Sequence, residues 1–93
     1  TVLDPSRYEI RIGDNSIALR RKEFDLLADL MRHPGRVSSR DRLLERVWGY
    51  EQPGMTRTVD VHVRQLRRKL GSPAAELIET VVGVGYRLRG SHG

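Results

Sequence analysis

The chain has 93 residues, of which 38% are apolar, and its 17 Lys and Arg against 12 Asp and Glu give a formal charge of +5. One small domain with enough apolar matter for a core is implied, and a disordered chain is excluded. With no cysteine, disulfides, thiolate metal sites and a cysteine nucleophile are excluded as well. No apolar run is long enough to cross a membrane.

The first nineteen residues read as an antiparallel sheet. Val2-Leu3 precedes a turn at Asp4-Pro5-Ser6, and Tyr8 to Ile12 alternates apolar and polar, the period of a half-buried strand. Gly13 to Ser16 is a turn cluster, and Ile17-Ala18-Leu19 resumes extended structure. Residues 21–32 change period. Phe24, Leu27, Ala28 and Met31 fall at helical spacing, which predicts an amphipathic helix ended by His33-Pro34-Gly35. A second helix is expected over 39–48, with Ser39 as N-cap and Gly49 as its stop. Gly49 to Met55 is a loop. Thr56 is the expected cap of a third helix over 57–70, stopped by Gly71. Residues 74–76 suit a short turn. Residues 77–89 read as a hairpin, with Leu77–Val82 and Tyr86–Arg89 around Gly83-Val84-Gly85. Gly83-Val84-Gly85 is no phosphate loop, because no helix follows it.

Charge is unevenly spread. Counting Lys and Arg against Asp and Glu, residues 1–19 carry 2 − 3 = −1, residues 20–55 carry 8 − 6 = +2, residues 56–70 carry 5 − 1 = +4 and residues 71–93 carry 2 − 2 = 0. Most of the excess therefore lies on the third helix, a concentration typical of a nucleic-acid surface. On a helical wheel Val59, Val63, Leu66 and Leu70 form one narrow stripe. Arg57, Val61, Arg64, Gln65 and Arg68 share the opposite side. An α-helix fits the major groove of B-DNA, where Arg reads guanine, Gln reads adenine and a small apolar side chain meets a thymine methyl. An exposed valine among arginines is poorly explained by solubility alone.

The three histidines, His33, His62 and His92, are far apart and form no zinc-binding pair, so no metal or other cofactor is expected. No nucleophile–base pair or paired carboxylate site appears, and no enzyme activity is expected. A winged helix used for protein contact is the main alternative, and the +4 third helix argues against it because interface centres are depleted in charge. Double-stranded RNA is a lesser one, since its readers work across a wide minor groove.

Several segments stand in a familiar order: Lys22-Glu23-Phe24-Asp25-Leu26-Leu27, Pro34-Gly35-Arg36-Val37, Ser39-Arg40, Leu43 to Gly49, Arg57 to Val63, Leu66-Arg67, and Thr80-Val81 with Gly83-Val84-Gly85-Tyr86-Arg87. Together they resemble the C-terminal effector domain of OmpR/PhoB-type response regulators over nearly the whole chain. The resemblance implies an α+β winged helix-turn-helix over residues 1–90, with 91–93 as a tail. It implies cytoplasmic transcription regulation in a bacterium, with a receiver domain elsewhere in a longer protein. The start of the chain shows no secretion leader, and the numbering is expected to begin inside that longer protein. The implied DNA-binding residues are Arg57, Val61, Arg64, Gln65 and Arg68 in the major groove and Arg67 on a flanking phosphate. Arg40 and the Trp48 indole N–H are the implied phosphate anchors, and Thr80 and Tyr86 the contacts from the wing. Double-stranded DNA with tandem half-sites is the implied partner. The loop carrying Tyr50, Glu51 and Met55 is the implied contact with RNA polymerase. Two positions depart from the family. Val82 stands where relatives often have a wing-tip Arg that enters the minor groove; it cannot make that charged contact, which only a nearby Arg87 or Arg89 would restore. Arg20-Arg21 replaces a Thr-Pro pair, which predicts a frayed first turn in the first helix.

Overall fold

The computed structural model describes residues 2–49 and 55–89. The chain opens with a meander of β1 (Val2–Asp4), β2 (Glu9–Ile12) and β3 (Asn15–Ala18), all antiparallel. The turn between β2 and β3 is shorter than expected, because Asn15 and Ser16 pair with Ile12 and Arg11 and so extend the strand. Ile10 points into the core and is 2% exposed. Tyr8 adopts a left-handed φ of 52° at the turn before β2, and its ring meets Phe24 edge-on at 5.6 Å.

Helix α1 runs from Arg21 to Arg32, as its spacing predicts. Its inner face contributes Phe24, Leu26, Leu27 and Leu30 to the core. The expected fraying of its first turn is corrected. The turn is helical from Arg21 because Glu23 reaches back, its Oε1 accepting the Arg20 N–H at 2.9 Å. Arginine has no acceptor to return, so only the glutamate half of a capping box is made.

Ser38–Ser39 forms β4, a strand that sequence periodicity did not reveal. Ser39 then caps α2 (Arg40–Leu43), its Oγ accepting the Arg42 N–H at 3.1 Å. The single regular helix expected over 39–48 is also corrected. Only Arg40–Leu43 is α-helical, and Leu44–Trp48 forms a wider π-helical turn. Leu43, Leu44 and Val47 are all buried, and Lys22 Nζ from α1 donates to the Val47 carbonyl at 2.9 Å. Carbonyls at a helix end lack internal partners, so this bond both closes the turn and ties it to α1.

Helix α3 spans Arg57–Leu70 and buries Val59, Val63 and Leu66. Thr56 precedes it, but its side chain makes no capping bond because its own backbone is already helical, at φ −65° and ψ −21°. Gly71 stops the helix at φ 68°, a left-handed value that glycine adopts without strain. A 3₁₀ turn over Ala74–Leu77 leads into the hairpin of β5 (Ile78–Val81) and β6 (Gly85–Leu88). The second sheet has the order β4-β6-β5. Gly85 therefore belongs to a strand, and the hairpin turn is Val82 to Val84. The three helices with their flanking hairpin make the winged helix-turn-helix.

Candidate nucleic-acid interface

Helix α3 crosses the molecule with its apolar stripe inward and its basic side outward. Arg57, Val61, Arg64 and Arg68 are exposed, with Gln65 half-buried beside them. Val61 is 40% exposed, which places it on the outer face where the wheel put it. Met55, just before the helix, is exposed as well. Tyr50 and Glu51, named with it as a contact loop, lie outside the described residues, as does the tail at 91–93.

Between α3 and the wing lies a cleft of about 430 Å³, lined by Arg40, Asp60, Arg64, Arg67 and Thr80 among others. Asp60 organises its floor. Its Oδ2 pairs with the Arg40 guanidinium at 3.1 Å, and its Oδ1 accepts the Tyr86 hydroxyl at 2.6 Å. One carboxylate on α3 thus joins the start of α2 to the wing. Burial, and then the bond to Asp60, push the Tyr86 hydroxyl up to about 12. Tyr86 is 7% exposed, so its ring is part of the core and its hydroxyl is turned inward to Asp60.

Arg67 makes the second tie. Its Nη2 donates to the Ile78 carbonyl at 2.8 Å and to Thr80 Oγ1 at 2.7 Å, with Nε on the same carbonyl at 3.3 Å. The guanidinium also lies 5.8 Å from the centre of the Tyr86 ring. Thr80 is exposed on the wing and pairs with Tyr86 across the strands. Trp48 is half-buried and meets His62 edge-on at 4.9 Å, while His62 Nδ1 lies 2.8 Å from the Thr58 carbonyl. The hydrophobic period of α3 does not single out Asp60. Its role arises from contacts with residues 20 and 26 positions away, which periodicity does not encode.

The wing has two faces of different character. Thr80 and Tyr86 form one cross-strand pair, and Glu79 and Arg87 the next. Glu79 accepts from Arg87 at 2.7 Å and from Arg89 at 3.2 Å. These two hydrogen bonds hold the Glu79 carboxyl below the usual carboxylate range. Arg87 and Arg89 are thereby bound along the strands, and the tip presents Val82, 90% exposed, and Val84, 51% exposed.

The buried acids sit away from the cleft. Glu23 is fully buried and accepts from Lys69 Nζ at 2.6 Å, joining the first turn of α1 to the last turn of α3. Burial opposes its ionisation, but the bonds from Lys69 and the Arg20 N–H outweigh that and hold its carboxyl below the ordinary value. Asp29, 4% exposed, faces Arg46 Nε at 3.0 Å.

Comparison with known proteins agrees with this geometry. Residues 14–88 match the family described as "Transcriptional regulatory protein, C terminal". The chain is 44% identical over 90 residues to the sensory transduction protein RegX3 of Mycobacterium tuberculosis, covering 95% of this chain and 40% of that protein. The chain thus spans less than half the length of such relatives. Among solved structures it is similar to the DNA-binding domain of Bacillus subtilis CssR, with a TM-score of 0.82, 39% identity and coverage of 94% and 97% of the two chains. It is also similar to the RstA DNA-binding domain of Klebsiella pneumoniae in complex with the RstA box, at a TM-score of 0.80, 37% identity and coverage of 94% and 88%. Family match, identity and fold coincide, and this chain belongs to the family of C-terminal domains of transcriptional regulatory proteins.

Proposed function

We propose that this domain binds double-stranded DNA sequence-specifically, as the output domain of a response regulator, with α3 in the major groove. The observation that carries this reading is the outer face of α3. Arg57, Val61, Arg64 and Arg68 are exposed with Gln65 at their side, the set of side chains that reads guanine, thymine and adenine edges. Arg40 and Thr80 share a cleft with Arg64, Trp48 packs on His62 of the same helix, and the three serve as phosphate contacts that fix register. Arg67 holds the wing through Nε and Nη2, leaving Nη1 for a flanking phosphate. Tyr86 acts mainly through Asp60, by setting the wing against α3.

The domain occupies residues 1–90 of this chain. A receiver domain in the full protein controls it, tandem half-sites receive it, and its work is in the cytoplasm. Tyr50, Glu51 and Met55, between α2 and α3, are positioned in sequence to meet RNA polymerase.

Titration of a DNA duplex by fluorescence anisotropy at several salt concentrations tests the reading, with double-stranded RNA of equal length alongside. DNA binding with a log–log salt slope of several is the expected result, and selection from randomised duplexes then yields the site. Absence of DNA binding at low salt would overturn the reading in favour of a protein-contact winged helix.

A further inference from the structure

We propose that a second basic cleft, on the far side of the wing turn from the α3 cleft, holds the phosphates of the opposite DNA strand. The inference rests on the DNA-binding reading above and extends its footprint to Arg36 and Arg42. This cleft has a volume of about 290 Å³ and is lined by Arg36, Ser38, Ser39, Arg42, Arg46 and Val84 together with Val37. Among the described residues no carboxylate lines it.

Its three arginines are not equivalent. Arg46 forms a fixed wall, with Nη2 donating to Ser38 Oγ at 2.7 Å and Nε facing the buried Asp29. Arg36 and Arg42 are exposed, and among the described residues neither forms an ion pair with a protein carboxylate. Two guanidiniums without a carboxylate partner, beside the Ser39 side chain, suit a phosphodiester.

The placement argues for DNA as the source of that phosphate. The wing turn is a wall shared by both clefts, with Val82 and Gly83 lining the first and Val84 the second. Arg40 and Arg42, two residues apart at the start of α2, likewise line different clefts. A minor groove of B-DNA is about 6 Å wide and bordered by one phosphate strand on each side. A narrow, uncharged tip between two basic clefts matches that cross-section. Val82 and Val84 meet the sugars, the α3 cleft takes one backbone, and Arg36 with Arg42 takes the other. Arg87 and Arg89 do not substitute for them, being held by Glu79.

The test compares the double variant Arg36→Ala/Arg42→Ala with a control of equal charge change on α1, Arg21→Ala/Arg32→Ala, on the selected duplex. Thermal melts establish that each variant is folded. The expected result for the first is a salt slope lower by about 2, since each lost phosphate contact removes about 1, with the ranking of base preferences unchanged. Ethylation interference should lose signal on one strand only, across the minor groove from the phosphates that remain. Arg36→Lys/Arg42→Lys should keep most of the slope. A slope and interference pattern equal to the control's would overturn the proposal and leave this cleft to an acidic protein. Failure of the unaltered domain to bind DNA at all would be separate, removing the underlying reading.

Discussion

Gln65 is the residue on the outer face of α3 whose side chain both donates and accepts, which suits it to a single base. Gln65→Ala should change preference at one base pair by about 1–3 kcal/mol, measured by competition among single-substitution duplexes. An equal loss on every duplex would make it a backbone contact instead. Tyr86 offers a test of the cleft's floor without DNA. Its hydroxyl is raised in the fold from 10.0 to about 12, so the neutral form is what the fold favours. Its contribution is complete below about pH 10 and is lost as pH rises through about 12. Denaturation of the native chain against Tyr86→Phe isolates it, because other groups cancel: the native chain's relative stability should fall across that window. At this scale the outward residues of α3 were legible, since one helix and its period suffice to orient them. The bonds of Asp60 to Tyr86 and of Arg67 to Ile78 and Thr80 were not, because a bond from α3 to the wing depends on how the elements dock.

Among the elements, α1 and α3 follow their hydrophobic periods closely, while α2 and β4 do not. The two residues of β4 carry no alternation to detect, and the strand exists because β6 lies beside it, with Ser38 opposite Tyr86 and Ser39 opposite Gly85. A Cβ at Gly85 would overlap the Ser38 carbonyl, so the close approach of these strands requires glycine. Gly85→Ala should therefore destabilise the domain by about 1–3 kcal/mol and shift the start of α2. A chemical denaturation curve measures the first effect, and amide shifts of Ser39 and Arg40 report the second. The wider turn after α2 likewise answers to packing, with Val47 buried in the core and its carbonyl held by Lys22. The first turn of α1 shows local chemistry replacing an absent cap. Arg20 already has the extended backbone of an N-cap, at φ −73° and ψ 156°. Arg20→Thr should supply the missing hydroxyl acceptor, adding about 1 kcal/mol and raising Tm by about 4–8 °C. An unchanged melt would mean that Glu23 alone suffices.

Across the whole molecule, the Glu23–Lys69 pair spans from the first turn of one long helix to the last turn of the other. Because the Glu23 carboxyl is held below its ordinary 4.5, its contribution is present above that value and is lost as pH falls through the lower folded value. Urea denaturation at neutral pH, near 4.5 and at about pH 3 should show the native chain losing stability relative to Glu23→Gln as the medium acidifies. The wing, α2 and α3 meet at a different acid, and that one bears on recognition. Arg40 holds a carboxylate of the protein, so under the proposed DNA-binding reading it would meet DNA with its own counterion. With that charge already partly compensated, a phosphate taken there releases less salt than one taken by a free arginine. On that reading Arg40 is less a source of attraction at a distance than a short-range gauge of fit. On the same reading a loosely bound polyanion leaves the pair closed, with the start of α2 still tied to α3.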